Sequence, residues 1–88
     1  MGEKFHKSWR GELVSSEGFS VHLSGDKTLV YKDSHGKLHV KAKAMASPAL
    51  TVVVFTKTIP DLPERSRAQV VDNISRAFVH AGWGMIAG

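Results

Sequence analysis

Residues 37–44 alternate strictly between apolar and basic side chains, and this pattern restricts the fold more than any other feature of the chain. Successive side chains of a β-strand point to opposite faces of a sheet. The segment therefore predicts a strand with one buried face and one basic face. The buried face consists of Leu38, Val40, Ala42 and Ala44, and the basic face of Lys37, His39, Lys41 and Lys43.

Four further segments read as strands, at residues 9–15, 19–23, 28–33 and 50–59. Short turns that contain glycine separate the first three and the basic strand, which predicts antiparallel neighbours. The last segment is apolar on both faces, with Val52 and Val54 on one side and Val53 and Phe55 on the other. Such a strand is typical of the centre of a sheet.

A single helix follows these strands. Asp61 and Glu64 have the spacing of a capping box, and Pro63 suits a first helical turn. One stripe of apolar residues then recurs at helical spacing, and Gly82 is a suitable residue to end the helix in the left-handed region. The stripe consists of Val70, Val71, Ile74, Ala77, Phe78 and Ala81. Residues 83–86 form a candidate sixth strand.

Together these elements predict an α+β fold. The expected architecture is an antiparallel sheet of five or six strands, with one C-terminal helix packed on one face. The 88 residues suit one domain and are too few for two. We expect residues 1–8 to form a flexible N-terminal arm and residues 9–88 to form the domain.

The sequence offers no recognisable catalytic or metal-binding motif. It has no cysteine, and its five histidines form neither an H-E-x-x-H nor a His-x-His arrangement. Glu12 is the one carboxylate outside predicted turns, caps, the arm and the helix, and an ion pair with Arg10 on the same strand face explains it. We therefore expect no enzymatic activity, no cofactor and no small-molecule substrate.

A membrane location is not expected either. The apolar run at 50–55 is far too short to span a bilayer, and no apolar segment follows the charged residues at 1–8. The chain is expected to be cytoplasmic.

The basic row Lys37, His39, Lys41 and Lys43 is the best candidate for a binding site. Side chains two apart on a strand lie about 6.6 Å apart, close to the phosphate spacing of nucleic acids. Lysine rows also keep edge strands soluble, so two interpretations stand side by side. The first is an acidic partner or a weakly bound nucleic acid, and the second is protection against aggregation.

If the helix covers Val52 and Val54, then Val53 and Phe55 face outward beside the basic strand. His22 and His39 share that face and approach each other if their strands are neighbours. An apolar centre next to basic residues is typical of a protein interface. We expect a small non-enzymatic protein-interaction module that binds a protein partner or a second copy through this face. The alternative is a weak, non-specific nucleic-acid binder that uses residues 37–43.

The C-terminal half resembles a group of small bacterial immunity proteins from polymorphic-toxin systems, the Imm74-type group. The resemblance rests on the strand 52–55, the linker Ile59-Pro60-Asp61-Leu62-Pro63, the apolar stripe of the helix and Gly82. It covers less than half of the chain. No tryptophan follows Ile59, and the net charge of +4 also departs from the group. The resemblance implies a non-enzymatic, partner-binding role and assigns no function to an individual residue.

Overall fold

The computed structural model describes residues 2–9, 11–25, 27–45 and 50–88. They form a curled, mixed sheet of seven strands and one long helix, which confirms the α+β class. The strands lie in the sheet in the order in which they occur in the chain. The elements are β1 (Phe5–Lys7), β2 (Leu13–Ser15), β3 (Ser20–Ser24), β4 (Thr28–Asp33), β5 (Gly36–Met45), β6 (Thr51–Val54), α1 (Arg67–Ala81) and β7 (Gly84–Ala87).

The prediction of an all-antiparallel sheet of five or six strands is only partly right. Strands β1 to β6 do pair with antiparallel neighbours, but β7 runs parallel to β6, with Val52 opposite Met85 and Val54 opposite Ala87. The reason is α1, which carries the chain back along the sheet before β7 begins, as a crossover between parallel strands requires. Gly84 permits the close approach of β7, because a Cβ there would lie 2.9 Å from Thr51 Oγ1.

The helix begins later than its sequence pattern indicates. Its N-cap is Ser66, whose hydroxyl accepts a hydrogen bond from the Gln69 N–H at 3.1 Å, so the predicted Asp61–Glu64 capping box is wrong. Asp61 instead accepts a hydrogen bond from the Arg67 N–H at 2.9 Å. The predicted end of the helix is confirmed, because Gly82 has a φ of 77° in the left-handed region.

The helix packs against one face of the sheet, here called the covered face. Val52 and Val54 on that face and Val70, Ile74 and Phe78 on the helix are fully buried. A polar contact crosses this core: buried Asn73 on α1 donates a hydrogen bond from Nδ2 to the Tyr31 hydroxyl on β4 at 2.9 Å. Apolar burial supplies most of the stability of such a core, and the hydrogen bond fixes the position of the helix on the sheet.

The segment predicted as a flexible arm contains β1, which differs from the expectation. Phe5 stacks on His80 of α1 at a ring distance of 5.1 Å and meets Phe19 edge-on at 5.9 Å. These aromatic contacts hold the strand against the domain, although its polar residues give no periodic signal.

Two arginines further link the helical region to the sheet. Arg65, just before α1, is buried and pairs with Asp33 at the end of β4, with 2.7 Å between Nη1 and Oδ1. Arg76 on α1 pairs with Glu3 next to β1 and with Asp72 one helical turn away. Among the described residues, no helix has the length and apolar character needed to cross a lipid bilayer.

Candidate functional site

The face of the sheet opposite α1 is here called the open face, and β5 places the predicted basic row on it. Lys37, His39, Lys41 and Lys43 are all exposed, while Val40 and Ala42 between them are buried on the covered face. The alternation read from the sequence therefore corresponds to the observed sides of the strand. At about 6.8 Å for every second residue of an antiparallel strand, the row is about 20 Å long.

The two predicted histidines share the open face but do not meet. His22 on β3 and His39 on β5 both lie opposite Val30 of β4, so one strand separates them. Two strand spacings amount to about 9.6 Å between the two backbones. Among the residues that the structure describes, no group of three or more His, Asp or Glu side chains could hold a metal ion.

Val53 and Phe55 lie at the β6 side of the open face, as predicted, and both are half-buried. Val53 is directly opposite Lys43 in the register of β5 and β6. The Lys41 ammonium lies 6.0 Å from the centre of the Phe55 ring, at the limit of a cation–π contact. Gly88 also lies against this pair, because a Cβ there would be 3.1 Å from the Phe55 ring and 3.2 Å from Val53. The apolar area left open is therefore small.

The structure adds Lys32, which the sequence-based site did not include. Lys32 lies on β4 directly opposite Lys37, so two like charges face each other across the hairpin. The sequence contains the information needed to find Lys32, because a two-residue turn at Ser34 and His35 fixes the register of the hairpin and places Lys32 on the basic face. Unlike the pairs that stabilise sheets, directly opposed like charges destabilise, and a bound anion would relieve their repulsion.

A polar pocket of about 290 Å³ lies beside these two lysines. It is lined by Glu12, His22, Val30, Lys32 and Lys37. Glu12 and His22 are 3.9 Å apart between Oε2 and Nδ1, an ion-pair distance rather than a hydrogen bond. The predicted partner of Glu12, Arg10, lies outside the described residues. The pocket holds two ammonium groups, an imidazole and one carboxylate, a composition that suits binding of an anion.

Charge is distributed unequally between the two faces. The four open-face lysines, Lys32, Lys37, Lys41 and Lys43, form no ion pair with any described carboxylate, and Glu12 is the one described carboxylate beside them. By contrast, Asp33 and Glu3 are held by arginines on the other side of the sheet. The open face therefore carries four lysines whose charge no described carboxylate neutralises through an ion pair.

No family model, curated protein or solved structure matches this chain.

Proposed function

We propose that this protein is a non-enzymatic binding module whose open face docks on an acidic surface of a protein partner. The observation that carries the proposal is the row of unpaired lysines on β5, which stands beside the apolar side chains of Val53 and Phe55. Opposite charge steers the encounter of two proteins, and a small apolar centre stabilises the docked complex.

The same charge argues against self-association through the open face. A second copy docked face to face would bring its own Lys37, Lys41 and Lys43 against those of the first. Like charges juxtaposed in an interface cost several kcal/mol, so a partner of opposite charge fits this face better than a second copy does.

Nucleic acid is the second candidate, and the spacing of the lysines along β5 favours it. Proteins that bind single strands usually combine such a charged groove with exposed aromatic side chains on which bases stack. The aromatic ring beside the row is Phe55, and it is half-buried under Lys41 and Gly88. Three neutralised phosphates give a log–log salt slope of only about −2, the behaviour of a weak and non-specific binder.

The immunity-like form of the proposal is that the acidic partner is a toxin. It makes the same prediction about the lysines, and it specifies which kind of protein the partner is.

A matched pair of variants tests the proposal. The first replaces Lys37, Lys41 and Lys43 with Gln, and the control replaces the exposed residues Lys4, Lys7 and Lys57 with Gln. Each variant has a net charge of +1, since three of the four excess positive charges are removed (4 − 3 = 1). Fluorescence anisotropy would measure binding of a labelled 20-residue polyglutamate peptide and of a 20-nucleotide single-stranded DNA.

We expect the first variant to bind polyglutamate at least tenfold more weakly than the wild type, and the control to differ by less than threefold. Three exposed charge contacts of about 0.5–1 kcal/mol each account for a loss of that size. Equal losses in both variants would show that only net charge matters and would contradict the proposal. DNA binding more than tenfold tighter than polyglutamate binding, and lost in the first variant alone, would favour the second candidate.

A further inference from the structure

The two edges of the sheet differ in how they are protected. The β1 edge carries charge, with Glu3 and Lys4 before the strand and Lys7 at its end. Residues 82–88, which include β7, contain no charged residue and no proline. Natural proteins block exposed edges with charged side chains, prolines or bulges, because an open edge pairs with other strands. The β7 edge has neither charged side chains nor a proline.

The main chain of β7 is available for such pairing. The Gly84 N–H donates to the Leu50 carbonyl at 2.9 Å, and the Gly88 N–H donates to the Val54 carbonyl at 2.8 Å. Because the direction of backbone groups alternates along a strand, Met85 and Ala87 point their N–H and C=O groups away from β6. In the described part of the chain, β7 is the last strand of the sheet and no strand lies beyond it.

We propose that β7 pairs with β7 of a second copy of this chain, antiparallel, about a two-fold axis at Ile86. Met85 and Ala87, the two residues whose backbone N–H and C=O groups point away from β6, lie symmetrically on either side of Ile86. In this register Met85 of one copy forms a hydrogen-bonded pair with Ala87 of the other, and the symmetric pair forms as well. The interface contains four backbone hydrogen bonds and joins the two sheets into one of fourteen strands.

The side chain at the axis supports a second copy as the occupant. Ile86 is 49% exposed, and the proposed register places it against Ile86 of the second copy in a close pair without hydrogen bonds, where its apolar surface is buried. Unlike face-to-face docking through the open face, pairing through this edge does not place the lysine row of one copy against that of the other. The two β5 strands are five strand spacings apart, about 24 Å, which is beyond the screening length at physiological salt.

A groove beside β7 provides room for the second copy on the covered side. Its volume is about 760 Å³, and its lining includes the small side chains Ala68, Ser75 and Ala87. Arg67 and Asp72 lie on the same helical wall. A two-fold axis places the groove of one copy next to the same groove of the other, so each presents both a positive and a negative side chain to its partner. Opposite charges can then pair across the interface, whereas a groove with charges of one sign would repel its copy.

Light scattering coupled to size exclusion, from 10 to 500 µM, tests the interface. We expect the wild type to shift from monomer to dimer as its concentration rises. Ile86→Lys places two positive charges at the axis, and Ala87→Pro removes an outward N–H without touching the bonds to β6. Both variants should remain monomeric at 500 µM with an unchanged circular dichroism spectrum. The matched control is Val79→Lys, at a helix residue that is 77% exposed and outside the groove, and it should dimerise like the wild type.

A cross-link locates the axis. The chain has no cysteine, so Ile86→Cys introduces a single thiol. A close antiparallel pair has Cα atoms about 4.5 Å apart, within the range of a disulfide. Mild oxidation should link this variant into dimers much faster than Val79→Cys. A wild type that stays monomeric at 500 µM overturns the proposal, and so does a dimer that survives Ile86→Lys and Ala87→Pro. Either result leaves the proposed function intact, because the lysine variants of the open face test that proposal independently.

Discussion

Two arginines on the covered face of the sheet form ion pairs with carboxylates, whereas the lysines of the open face form none with the carboxylates that the structure describes. Arg65 is buried against Asp33, and Arg76 is surrounded by Glu3, Glu17 and Asp72. An arginine fork can bond several acceptors in fixed geometry, whereas a lysine is a mobile point charge on a flexible stem. The difference indicates that Arg65 and Arg76 link the helical region to the sheet, whereas the open-face lysines take no part in such links.

Arg65→Met is the strongest test of this division. It removes the partner of Asp33 and leaves a largely buried carboxylate without its guanidinium, so we expect a loss of about 2–4 kcal/mol in the free energy of unfolding. Urea denaturation would measure it. Lys57→Met, at an exposed position, is the control and should change stability by less than about 0.5 kcal/mol. A loss below about 1 kcal/mol for Arg65→Met would show that the buried pair does not hold the fold.

Acid should weaken the same contact. Burial alone raises the pKa of the Asp33 carboxyl, but the hydrogen bond from the His35 N–H, the nearby Tyr31 hydroxyl and the Arg65 guanidinium together outweigh it and hold this pKa below its usual value. Since the unfolded value is near 3.9, the stabilisation is complete above about pH 4. It is lost as the pH falls through the lower folded pKa.

Urea midpoints between pH 5 and pH 2 would follow this loss. Asp33→Asn should be less stable at pH 5 and should have a flatter acid limb, because the linked protonation is gone. An acid limb identical to that of the wild type would contradict the assignment.

Arg76→Met should have a smaller effect, about 1 kcal/mol. Arg76 is about one-third exposed, so water screens its ion pairs, and Met keeps most of its contact with the Phe19 ring, which lies 5.6 Å from the guanidinium carbon. Thermal denaturation would measure the change. A loss as large as that of Arg65→Met would mean that burial does not determine how much these ion pairs contribute to the free energy of unfolding.

The triple replacement of Lys37, Lys41 and Lys43 with Gln should have the smallest effect on folding. These side chains are exposed and form no ion pair with a described carboxylate, and removing Lys37 also relieves its repulsion with Lys32. We expect the free energy of unfolding to change by less than about 1 kcal/mol in total. A marked destabilisation of the triple variant, measured in urea, would give the lysines a structural role and remove the contrast between the two faces.

Local patterns in the sequence predicted the parts of the fold that depend on neighbouring residues. The bounds of β4, the alternation of β5 and the end of α1 at Gly82 are all correct, because side-chain period and the left-handed glycine act locally. The start of α1 was missed because residues 62 and 65 form an isolated bridge, and Arg65 is held by Asp33, 32 residues earlier. A contact at that distance leaves no periodic signal.

The candidate site divides in the same way. The basic row and the outward position of Val53 follow from the period of two, and the structure agrees with both. The distance between His22 and His39 depends on strand order, and Lys32 depends on hairpin register. The cover that Gly88 gives to Phe55 depends on the parallel placement of β7, which the strand pattern alone does not specify.

The hydrogen bond between Asn73 and Tyr31 has a practical consequence, because Tyr31 is the one tyrosine of the chain. Burial raises its pKa to about 12, although the Asn73 side chain opposes this rise. An unfolded tyrosine ionises near pH 10, so native and unfolded molecules differ in tyrosinate absorbance between those values. The phenol ring is thus a built-in optical reporter of whether the helix is seated on the sheet. Folding and unfolding can be followed in mixing experiments at alkaline pH without any added label.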